Sequence, residues 1–421
     1  MGSPMMNGTS ADASSSGTLV ASSTAAPEAI PQWEPIYKAK DDELANVGCA
    51  IRTIACSRDH VITGSSSPVV KVWSVAEAKV DKKRTLQLSV SKSLKREGNE
   101  DGATCVEIAD NGQLVAVCYD DGQIGLHDLR SPGKPQELED CPIDATSKAK
   151  FVAEQRLVSA GVSGSLFFWD LRTLRLESQI GASPDDPSTS HSKNEEKREV
   201  KRLKKEVRGG KNADARGVNS RGRPAPIYSL AVSSDGKLLG CGRNTGLVSV
   251  LRLSSYPEWI GSVFTHRHGA VRALAFDARS RVLLSGGEDR HLCMFDAADW
   301  HGTAKRDADD AQRPPPSLER FVVHRSWVTS ACFCPAASGS ELMARLALTS
   351  SADGTVKLWE LSKSTPVRTY EEHKSSVLCV AWEPSEGRYF FSAGEDSTLR
   401  MYARKDVLED LKAQDAAEGS K

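Results

Sequence analysis

The chain has 421 residues, of which 39% are hydrophobic and 26% charged, and its 55 basic residues nearly balance its 56 acidic ones. This composition is typical of a globular protein, and the balanced charge argues against a dedicated polybasic nucleic-acid binder. No stretch reaches the roughly 18 to 20 apolar residues that a membrane span needs, and the N-terminus lacks the apolar segment of a signal peptide.

The ten cysteines are scattered, mostly within apolar runs, which predicts reduced, buried thiols in an intracellular protein. Cys332 and Cys334 have the spacing of two strand residues, and no second Cys or His pair completes a zinc site. No phosphate-binding loop, nucleophile elbow or dinucleotide fingerprint is present. We therefore expect neither a cofactor nor an enzyme.

Residues 1–32 are rich in Ser, Ala, Thr, Gly and Pro, which predicts a disordered tail. The short segment Ile36-Tyr37-Lys38-Ala39 then resembles a strand that belongs to no repeat of its own. We expect it to pair elsewhere in the fold.

Seven segments share the same ending. In each, a short apolar run ends in an aromatic or bulky residue, which is usually followed by a polar residue. The anchor residues of these endings are Trp73, His127, Trp169, Leu251, Phe295, Trp359 and Tyr402. Three of the intervals between anchors are 42, 44 and 43 residues, and the intervals of 54, 82 and 64 correspond to the same unit with insertions.

Each unit also carries a small polar turn residue six positions before its anchor. Upstream lie a strand of small residues and an alternating apolar strand, such as Val271–Phe276, with an outer strand such as Val367–Tyr370 between units. Four short strands in about 43 residues are typical of a WD repeat. The sequence therefore predicts an all-β, single seven-bladed WD-repeat β-propeller over residues 33–405.

Two long insertions interrupt the repeats. Residues 183–226, between blades 3 and 4, contain twelve basic and seven acidic residues and are predicted to be disordered. They could be a solvated loop, a nuclear-import segment around Lys201-Arg202-Leu203-Lys204, or a contact to a phosphate backbone. Residues 298–317 are predicted as an insertion between blades 5 and 6.

Repeat six contains the residues of the hydrogen-bonded tetrad that is usual in these repeats, predicted as His324, Ser351, Asp353 and Trp359. Such a network satisfies buried polar groups and fixes the loops of one blade. His266 and His268 lie where the repeat places one tetrad histidine, so we prefer this role to metal binding. We likewise interpret the His and Asp residues as structural rather than catalytic.

The last unit lacks an outer strand, because only nineteen residues follow Tyr402. Val407, Leu408 and Leu411 are spaced like a short helix, and the tail 406–421 ends in residues that resemble the N-terminal tail. We expect the N-terminal strand to complete the last blade, so that no sheet edge is left open. Deleting residues 36–41 should then destabilise the whole ring.

The repeats resemble one family in detail, the WD-repeat subunit of the superkiller complex, which is shared with the polymerase-associated factor complex. The resemblance covers repeats one to seven. Its strongest elements are His324-Arg325-Ser326-Trp327-Val328 and Cys332-Phe333-Cys334-Pro335 in repeat six, since Ser-Trp-Val and Phe-Cys-Pro are not generic WD features. Further elements are Val61–Ser65, Val70–Trp73, Cys141–Ala145, Ile227–Ala231 and Ser234–Lys237.

The resemblance implies a non-catalytic scaffold, a single copy within a hetero-oligomer in cytoplasm and nucleus. Its partners would be a helical-repeat (tetratricopeptide) subunit and an RNA helicase of the superkiller complex, which serves exosome-dependent mRNA decay. In the polymerase-associated factor complex, which acts in transcription elongation and histone modification, other subunits would bind it. No direct nucleic-acid site and no membrane contact are expected.

The family binds a short Gln-Arg-x-x-apolar peptide on the top face of the propeller. Carried over to this chain, Trp327 with Ser326 would form the apolar platform of that site. One or more of Asp120, Glu288 and Glu395, which precede the turn residue in three repeats, would receive the peptide arginine. Trp327 could instead pack in the core, and each acidic residue could belong to a plain solvated turn.

A different class of protein remains as the alternative. Asp128-Leu129-Arg130 and Asp170-Leu171-Arg172 carry an Asp-x-Arg ending that resembles substrate receptors of cullin-RING ubiquitin ligases. The motif is short and occurs by chance in many WD repeats. Dependence of an adaptor-ligase pull-down on Arg130 and Arg172 would favour this alternative.

Overall fold

Antiparallel sheets of four strands make up most of the structure, and the described part of the chain contains seven of them, numbered as blades by the order of their first strands. Blades 1 to 3 comprise β2 (Ile51–Cys56), β3 (His60–Ser65), β4 (Val69–Val80), β5 (Leu86–Lys95); β6 (Ala103–Ile108), β7 (Leu114–Tyr119), β8 (Ile124–Asp128), β9 (Gln136–Glu137); β10 (Thr146–Ala153), β11 (Arg156–Gly161), β12 (Leu166–Asp170) and β13 (Arg175–Ile180). Blades 4 and 5 comprise β14 (Ile227–Val232), β15 (Leu238–Arg243), β16 (Leu247–Arg252), β17 (Glu258–Phe264); β18 (Val271–Phe276), β19 (Val282–Gly287), β20 (His291–Asp296) and β21 (Ser317–Val322). Blades 6 and 7 comprise β22 (Val328–Phe333), β23 (Leu346–Ser351), β24 (Val356–Glu360), β25 (Pro366–Tyr370); β26 (Val377–Trp382), β27 (Tyr389–Gly394), β28 (Thr398–Arg404) and the N-terminal β1 (Trp33–Lys40).

The first strands of the blades form the inner wall of a ring. In this computed structural model, which describes residues 30–40, 49–80, 86–96, 101–131, 133–139, 141, 146–181, 225–266, 269–297, 300, 317–335, 340–363 and 365–418, each first strand contacts the next one along the chain. β26 of blade 7 also contacts β2 of blade 1. The described strands of the unit Pro31–Lys421 thus form a closed seven-bladed β-propeller, which confirms the predicted fold class.

The N-terminal strand closes the ring, as the missing outer strand of the last repeat predicted. β1 pairs antiparallel with β28 from Trp33 opposite Arg404 to Lys40 opposite Thr398. The strand begins three residues earlier than the segment predicted from Ile36, because Trp33 is itself a buried anchor. Blade 7 therefore contains strands from both ends of the ordered chain.

The hydrophobic core lies between neighbouring blades rather than in one central mass. One cluster joins Leu292 of blade 5 to Val328 and Trp359 of blade 6, and another joins Phe168 of blade 3 to Leu239 of blade 4. A third joins blade 7 to blade 1, where Phe391 and Trp73 share a cluster. Each sheet is covered on both faces by its neighbours, so a single blade cannot bury its apolar side chains alone.

The two faces of the ring carry different connections. The turns between second and third strands and the links between blades lie on one face, called the top face here. The opposite, bottom face carries the turns between first and second strands and those between third and fourth strands. This assignment follows from the alternating direction of the strands in each sheet.

Two predictions about segments need correction or extension. β21 pairs with β20, so the insertion predicted between blades 5 and 6 lies inside blade 5, on the bottom face. A helix, α1 (Lys405–Glu418), follows β28 where a short helix was predicted and continues into residues expected to be disordered. A single 3-10 turn, Met343–Arg345, precedes β23.

Residues 1–29 of the predicted disordered tail lie outside the described residues. The same is true of residues 183–224 of the predicted basic insertion. The same holds for 142–145 within the quoted repeat-three motif, for His268, and for 298–299 and 301–316. Trp300, from the second insertion, is buried and its ring lies 5.8 Å from that of Phe295.

Among the described helices, none has the length and apolar character required to cross a membrane.

Candidate protein-interaction face

A buried hydrogen-bond network fixes blade 6. His324 Nδ1 lies 3.1 Å from Asp353 Oδ2, and His324 Nε2 lies 2.8 Å from Thr349 Oγ1. The same Thr349 oxygen accepts the indole N–H of Trp359 at 2.9 Å. The network links the top-face turn to the middle of the sheet, as predicted for a tetrad.

One predicted member of this tetrad was wrong. Thr349, not Ser351, bridges the histidine and the tryptophan. Ser351 ends β23, and its hydroxyl accepts the backbone N–H of Asp353 at 3.0 Å within the turn. The two residues are two positions apart and point to the same side of the strand, but only Thr349 is deep enough in the sheet to reach the Trp359 ring.

Blades 5 and 7 contain the same polar core without a tryptophan. His266 lies 2.7 Å from Asp289 and 3.0 Å from Ser285, and the equivalent distances from His373 to Asp396 and to Ser392 are 3.0 and 2.7 Å. His266 is thus a tetrad member, and the described residues contain no group of His, Cys, Asp or Glu that could hold a metal.

Blades 1 and 3 keep only the tryptophan half of the network, because they lack the turn aspartate. The indole N–H groups of Trp73 and Trp169 donate to Thr63 and Ser159, each at 2.9 Å. Each of these tryptophans is buried against the neighbouring blade. These two blades therefore satisfy their buried indole donors without the histidine and aspartate of the tetrad.

His127 occupies the anchor position of blade 2 and is almost fully buried. Burial, with a smaller effect of the charge of Lys92, lowers the pKa of His127 to about 4. The unfolded chain therefore takes up a proton near pH 6.5 that the folded chain takes up only near pH 4. Stability is fully present above the unfolded pKa and falls as the pH drops through this window.

Replacing His127 by phenylalanine, the residue that fills the same position in blade 5, should remove this dependence. We expect the wild-type free energy of unfolding to fall by about 2 kcal/mol more than that of His127→Phe between about pH 7.5 and about pH 5. Urea unfolding at both pH values measures the difference. Equal losses in the two proteins would show that His127 does not carry the effect.

The top face is organised by a feature that recurs in all seven first strands. In each, the register to the second strand shifts between the first and third residues. Such bulges redirect the side chain of the extra residue. The residues at this position are Arg52, Thr104, Ser147, Tyr228, Arg272, Thr329 and Leu378.

In five blades, a second recurring contact fixes the residue that precedes the top-face turn. The backbone N–H of this residue donates a hydrogen bond to the carbonyl of the residue just before the first strand. Glu288 donates to Ala270 at 3.1 Å, and Glu395 donates to Ser376 at 2.9 Å. Asp120, Asn244 and Ala352 make the same bond in their blades. The predicted acidic residues thus occupy equivalent positions around the mouth of the central channel.

Trp327 is exposed on this face, which removes the alternative that it packs in the core. Its side chain is 47% exposed, and the guanidinium carbon of Arg272 lies 5.1 Å from its ring centroid. Arg272 also lies 5.4 Å from the ring of Tyr228 and donates to Glu288 at 2.8 Å. The tryptophan is therefore held by a cation–π contact while one side of its surface remains open. Ser326, beside it, is half-buried.

The three predicted carboxylates differ in their partners. Asp120 is paired with Arg52 at 3.0 Å, and Glu288 is paired with Arg272. Glu395 is exposed, accepts the Ser375 hydroxyl at 3.0 Å, and has no ion pair with another described residue. Neither arginine was predicted from the sequence, although each stands at the second position of a first strand, where the apolar pattern breaks.

The two Asp-x-Arg motifs lie on the opposite face. Arg130 and Arg172 are about 70% exposed, and each guanidinium contacts the aspartate of its own motif, Asp128 at 3.6 Å or Asp170 at 3.2 Å. Both motifs follow a third strand and so belong to bottom-face turns.

Comparison with known proteins explains the repeating unit. The family model "WD domain, G-beta repeat" matches residues 91–128, 259–296, 316–360 and 364–402. These four stretches are WD repeats. The matched stretches start at the outer strand of one blade and end in the third strand of the next, in blades 2, 5, 6 and 7.

Two of the similar curated proteins are named for chromatin assembly and for ribosome biogenesis. A subunit of chromatin assembly factor 1 from Mus musculus is 28% identical over 42% of this chain and 32% of its own length. "Ribosome biogenesis protein WDR12 homolog" of Chlamydomonas reinhardtii is 25% identical over 72% of this chain and 64% of its own, and "Protein HIR1" of Eremothecium gossypii is 23% identical over 42% and 22%. This chain spans about a third of the first of these relatives, about two thirds of the second and about a fifth of the third.

Proposed function

We propose that this WD-repeat propeller is a non-catalytic scaffold that binds a short peptide of a partner protein on its top face, with Trp327 as the apolar anchor. The observation that carries the proposal is the exposed indole of Trp327, held in place by Arg272 and Glu288. A fixed aromatic ring loses little conformational freedom on binding, which is why tryptophans dominate the binding energy of many interfaces.

Among the three acidic residues, Glu395 is our choice to receive the arginine of a Gln-Arg-x-x-apolar peptide. Asp120 and Glu288 are already neutralised by arginines of the propeller, so a peptide arginine would have to displace them. Glu395 lies beside the start of β26, and the Thr329 hydroxyl of β22 donates to Val377 of that strand at 2.6 Å. Trp327 and Glu395 therefore sit at the adjoining strand starts of blades 6 and 7.

Replacing Trp327 by alanine should weaken peptide binding by about 30-fold, the effect of an aromatic anchor worth about 2 kcal/mol. Fluorescence anisotropy with a labelled Gln-Arg-x-x-Leu peptide measures it. Tyr256→Ala is the matched control, because Tyr256 is 89% exposed on a bottom-face turn. Equal affinity of the Trp327 variant and the wild type would refute this placement of the site.

A double-mutant cycle tests the arginine contact separately. Glu395→Gln should weaken binding of the arginine-containing peptide. It should leave unchanged the binding of a peptide in which alanine replaces the arginine. If the effects of the Glu395 substitution and of the peptide substitution are additive, the peptide arginine binds elsewhere. The proposal that Trp327 is the apolar anchor would then still stand.

For the assembly that this scaffold serves, we propose the superkiller complex and the polymerase-associated factor complex, in cytoplasm and nucleus. The support is the resemblance of repeat six, whose Ser326-Trp327-Val328 segment includes the exposed anchor. Affinity purification with mass spectrometry should recover a tetratricopeptide protein and an RNA helicase. Recovery of chromatin-assembly or ribosome-biogenesis factors instead would assign this chain to the processes for which its relatives are named.

A ubiquitin-ligase receptor is the second candidate, favoured by the exposure of Arg130 and Arg172 on one face. An adaptor would then bind the bottom face and leave the Trp327 face for a substrate. Loss of adaptor pull-down on changing both arginines to alanine would support it, whereas the peptide-binding variants above would leave adaptor binding unchanged.

A further inference from the structure

The axis of the ring is an open channel with a cavity of about 420 Å³, lined by residues from the first strands of all seven blades. The shared bulge puts these strands in a common register, so residues at the same position form layers around the axis. Every residue of the third-position layer lines the cavity: Thr53, Cys105, Lys148, Ser229, Ala273, Ser330 and Cys379.

Lys148 is the one charged residue of this layer. Its six counterparts are small alanine, hydroxyl or thiol residues, which leave space beside a long side chain. Lys148 is half-buried, and no carboxylate of the described residues lies within ion-pair distance of it. Within the described part of the chain the Lys148 ammonium thus forms no ion pair, and Glu107, whose raised pKa it opposes, is already paired with Lys150.

Four of the other five charged residues that line the channel are already paired. Lys150, two residues along β10, lies 2.7 Å from both carboxylate oxygens of Glu107. Arg52 and Arg272 at the top rim are paired with Asp120 and Glu288. Asp110 is exposed after the end of β6, on the bottom side. Of the described residues that line the channel, Lys148 is therefore the cation without an ion pair, and Asp110 at the bottom end is the unpaired carboxylate.

The thiols of the channel show how far this charge reaches. Burial raises the pKa of the Cys379 thiol in blade 7 to about 12, and the Lys148 ammonium opposes that rise from blade 3. The same ammonium acts on the thiol of Cys105 in blade 2. Lys148 thus lies close enough to act on thiols of two other blades.

A cation in a channel with low-dielectric walls concentrates anions, and a lysine ammonium binds phosphate oxygens as a point charge. We propose that the central channel of this propeller binds a small oxyanion of the phosphate class, held by Lys148 in the third-position layer. The ligand would be free phosphate or the phosphate group of a slightly larger molecule. This site is independent of the peptide proposed to bind around Trp327.

Orthophosphate and pyrophosphate are the probes that separate the two sources. Isothermal titration calorimetry, at constant ionic strength set with chloride, should show saturable binding of at least one of them to the full chain. Preference for orthophosphate would indicate the free ion, and preference for pyrophosphate a larger phosphate compound. If neither orthophosphate nor pyrophosphate binds above the chloride background, the proposal is overturned.

Lys148→Met removes the charge and keeps the chain length, so it should weaken oxyanion binding by about tenfold or more, as expected for the loss of a charged hydrogen-bond donor. Lys237→Met, at a lysine 70% exposed on a bottom-face turn, is the matched control and should bind as the wild type does. Lys148→Arg keeps the positive charge and should retain oxyanion binding. It tests whether the fold tolerates a different side chain at this position. Undiminished binding by folded Lys148→Met would refute the assignment, and all three variants should bind the Trp327-directed peptide normally.

Discussion

Replacing Trp33 by alanine should destabilise the whole ring by about 3–5 kcal/mol, the range for removing a fully buried large aromatic side chain. Trp33 is 0% exposed, its indole N–H donates to the carbonyl of Gly387 at 3.0 Å, and its ring lies 5.0 Å from that of Trp382. Its backbone carbonyl accepts the Tyr370 hydroxyl at 3.3 Å, so it also joins blade 7 to blade 6. Loss of this side chain therefore loosens both the outer strand and its neighbouring blade.

Thermal and urea unfolding measure this effect, and Trp327→Ala provides the matched control. It removes the same kind of side chain from an exposed position, where we expect a change of less than about 1 kcal/mol. The deletion of residues 36–41 should destabilise at least as strongly as Trp33→Ala. Unfolding curves of Trp33→Ala that coincide with the wild type would mean that β1 does not hold the ring closed.

Replacing Asp353 by alanine should cost about 3–5 kcal/mol, because it leaves several donors of the buried network unsatisfied, at about 1–3 kcal/mol each. Its carboxylate accepts from His324, from the Thr355 hydroxyl at 2.7 Å and from the Arg325 backbone N–H at 2.9 Å. Burial alone would raise the pKa of Asp353, but hydrogen bonds from His324 and Thr355 hold that pKa well below its usual range.

The depressed pKa gives this loss a characteristic pH dependence. The contribution of Asp353 is present above the unfolded pKa of about 3.9 and is lost as the pH falls below it. Burial lowers the pKa of His324 as well, against the effect of Asp353, so its protonation also opposes folding in acid. The difference in stability between wild type and Asp353→Ala should therefore shrink in strong acid.

Asp121→Ala is the matched control for this prediction. Asp121 occupies the same turn position in blade 2, where it meets Arg96 at 2.6 Å near the surface and no histidine. We expect a loss of about 1 kcal/mol or less there, as for exposed ion pairs. Equal losses for both aspartates would show that the turn, rather than the buried tetrad, determines the effect.

The repeat and the ring closure could be predicted from the sequence because both depend on patterns along one chain. Seven anchors at a common spacing define the blades, and a last unit with no outer strand requires one from elsewhere. The tetrad residue was harder to assign, since Ser351 and Thr349 are both small hydroxyl residues of one strand. Only the depth of the Trp359 indole in the sheet distinguishes them.

The details of the top face could not be predicted, because they depend on contacts between repeats. The pairing of Arg52 with Asp120 joins blades 1 and 2, and the position of Arg272 between Tyr228 and Trp327 joins blades 4, 5 and 6. Residues so far apart in the chain share no sequence pattern. The exposure of Trp327 likewise depends on the neighbours that leave its ring uncovered.

The pairing of Trp33 with Arg404 has a practical consequence for handling this protein. The first and last strands of the ring end side by side on the bottom face, so the ring has no fixed beginning. A circular permutant that joins these ends and opens another blade connection should keep the same sheets. Affinity tags fused at either terminus would leave the ring on the side away from Trp327, so immobilisation through them should keep the top face accessible to a ligand.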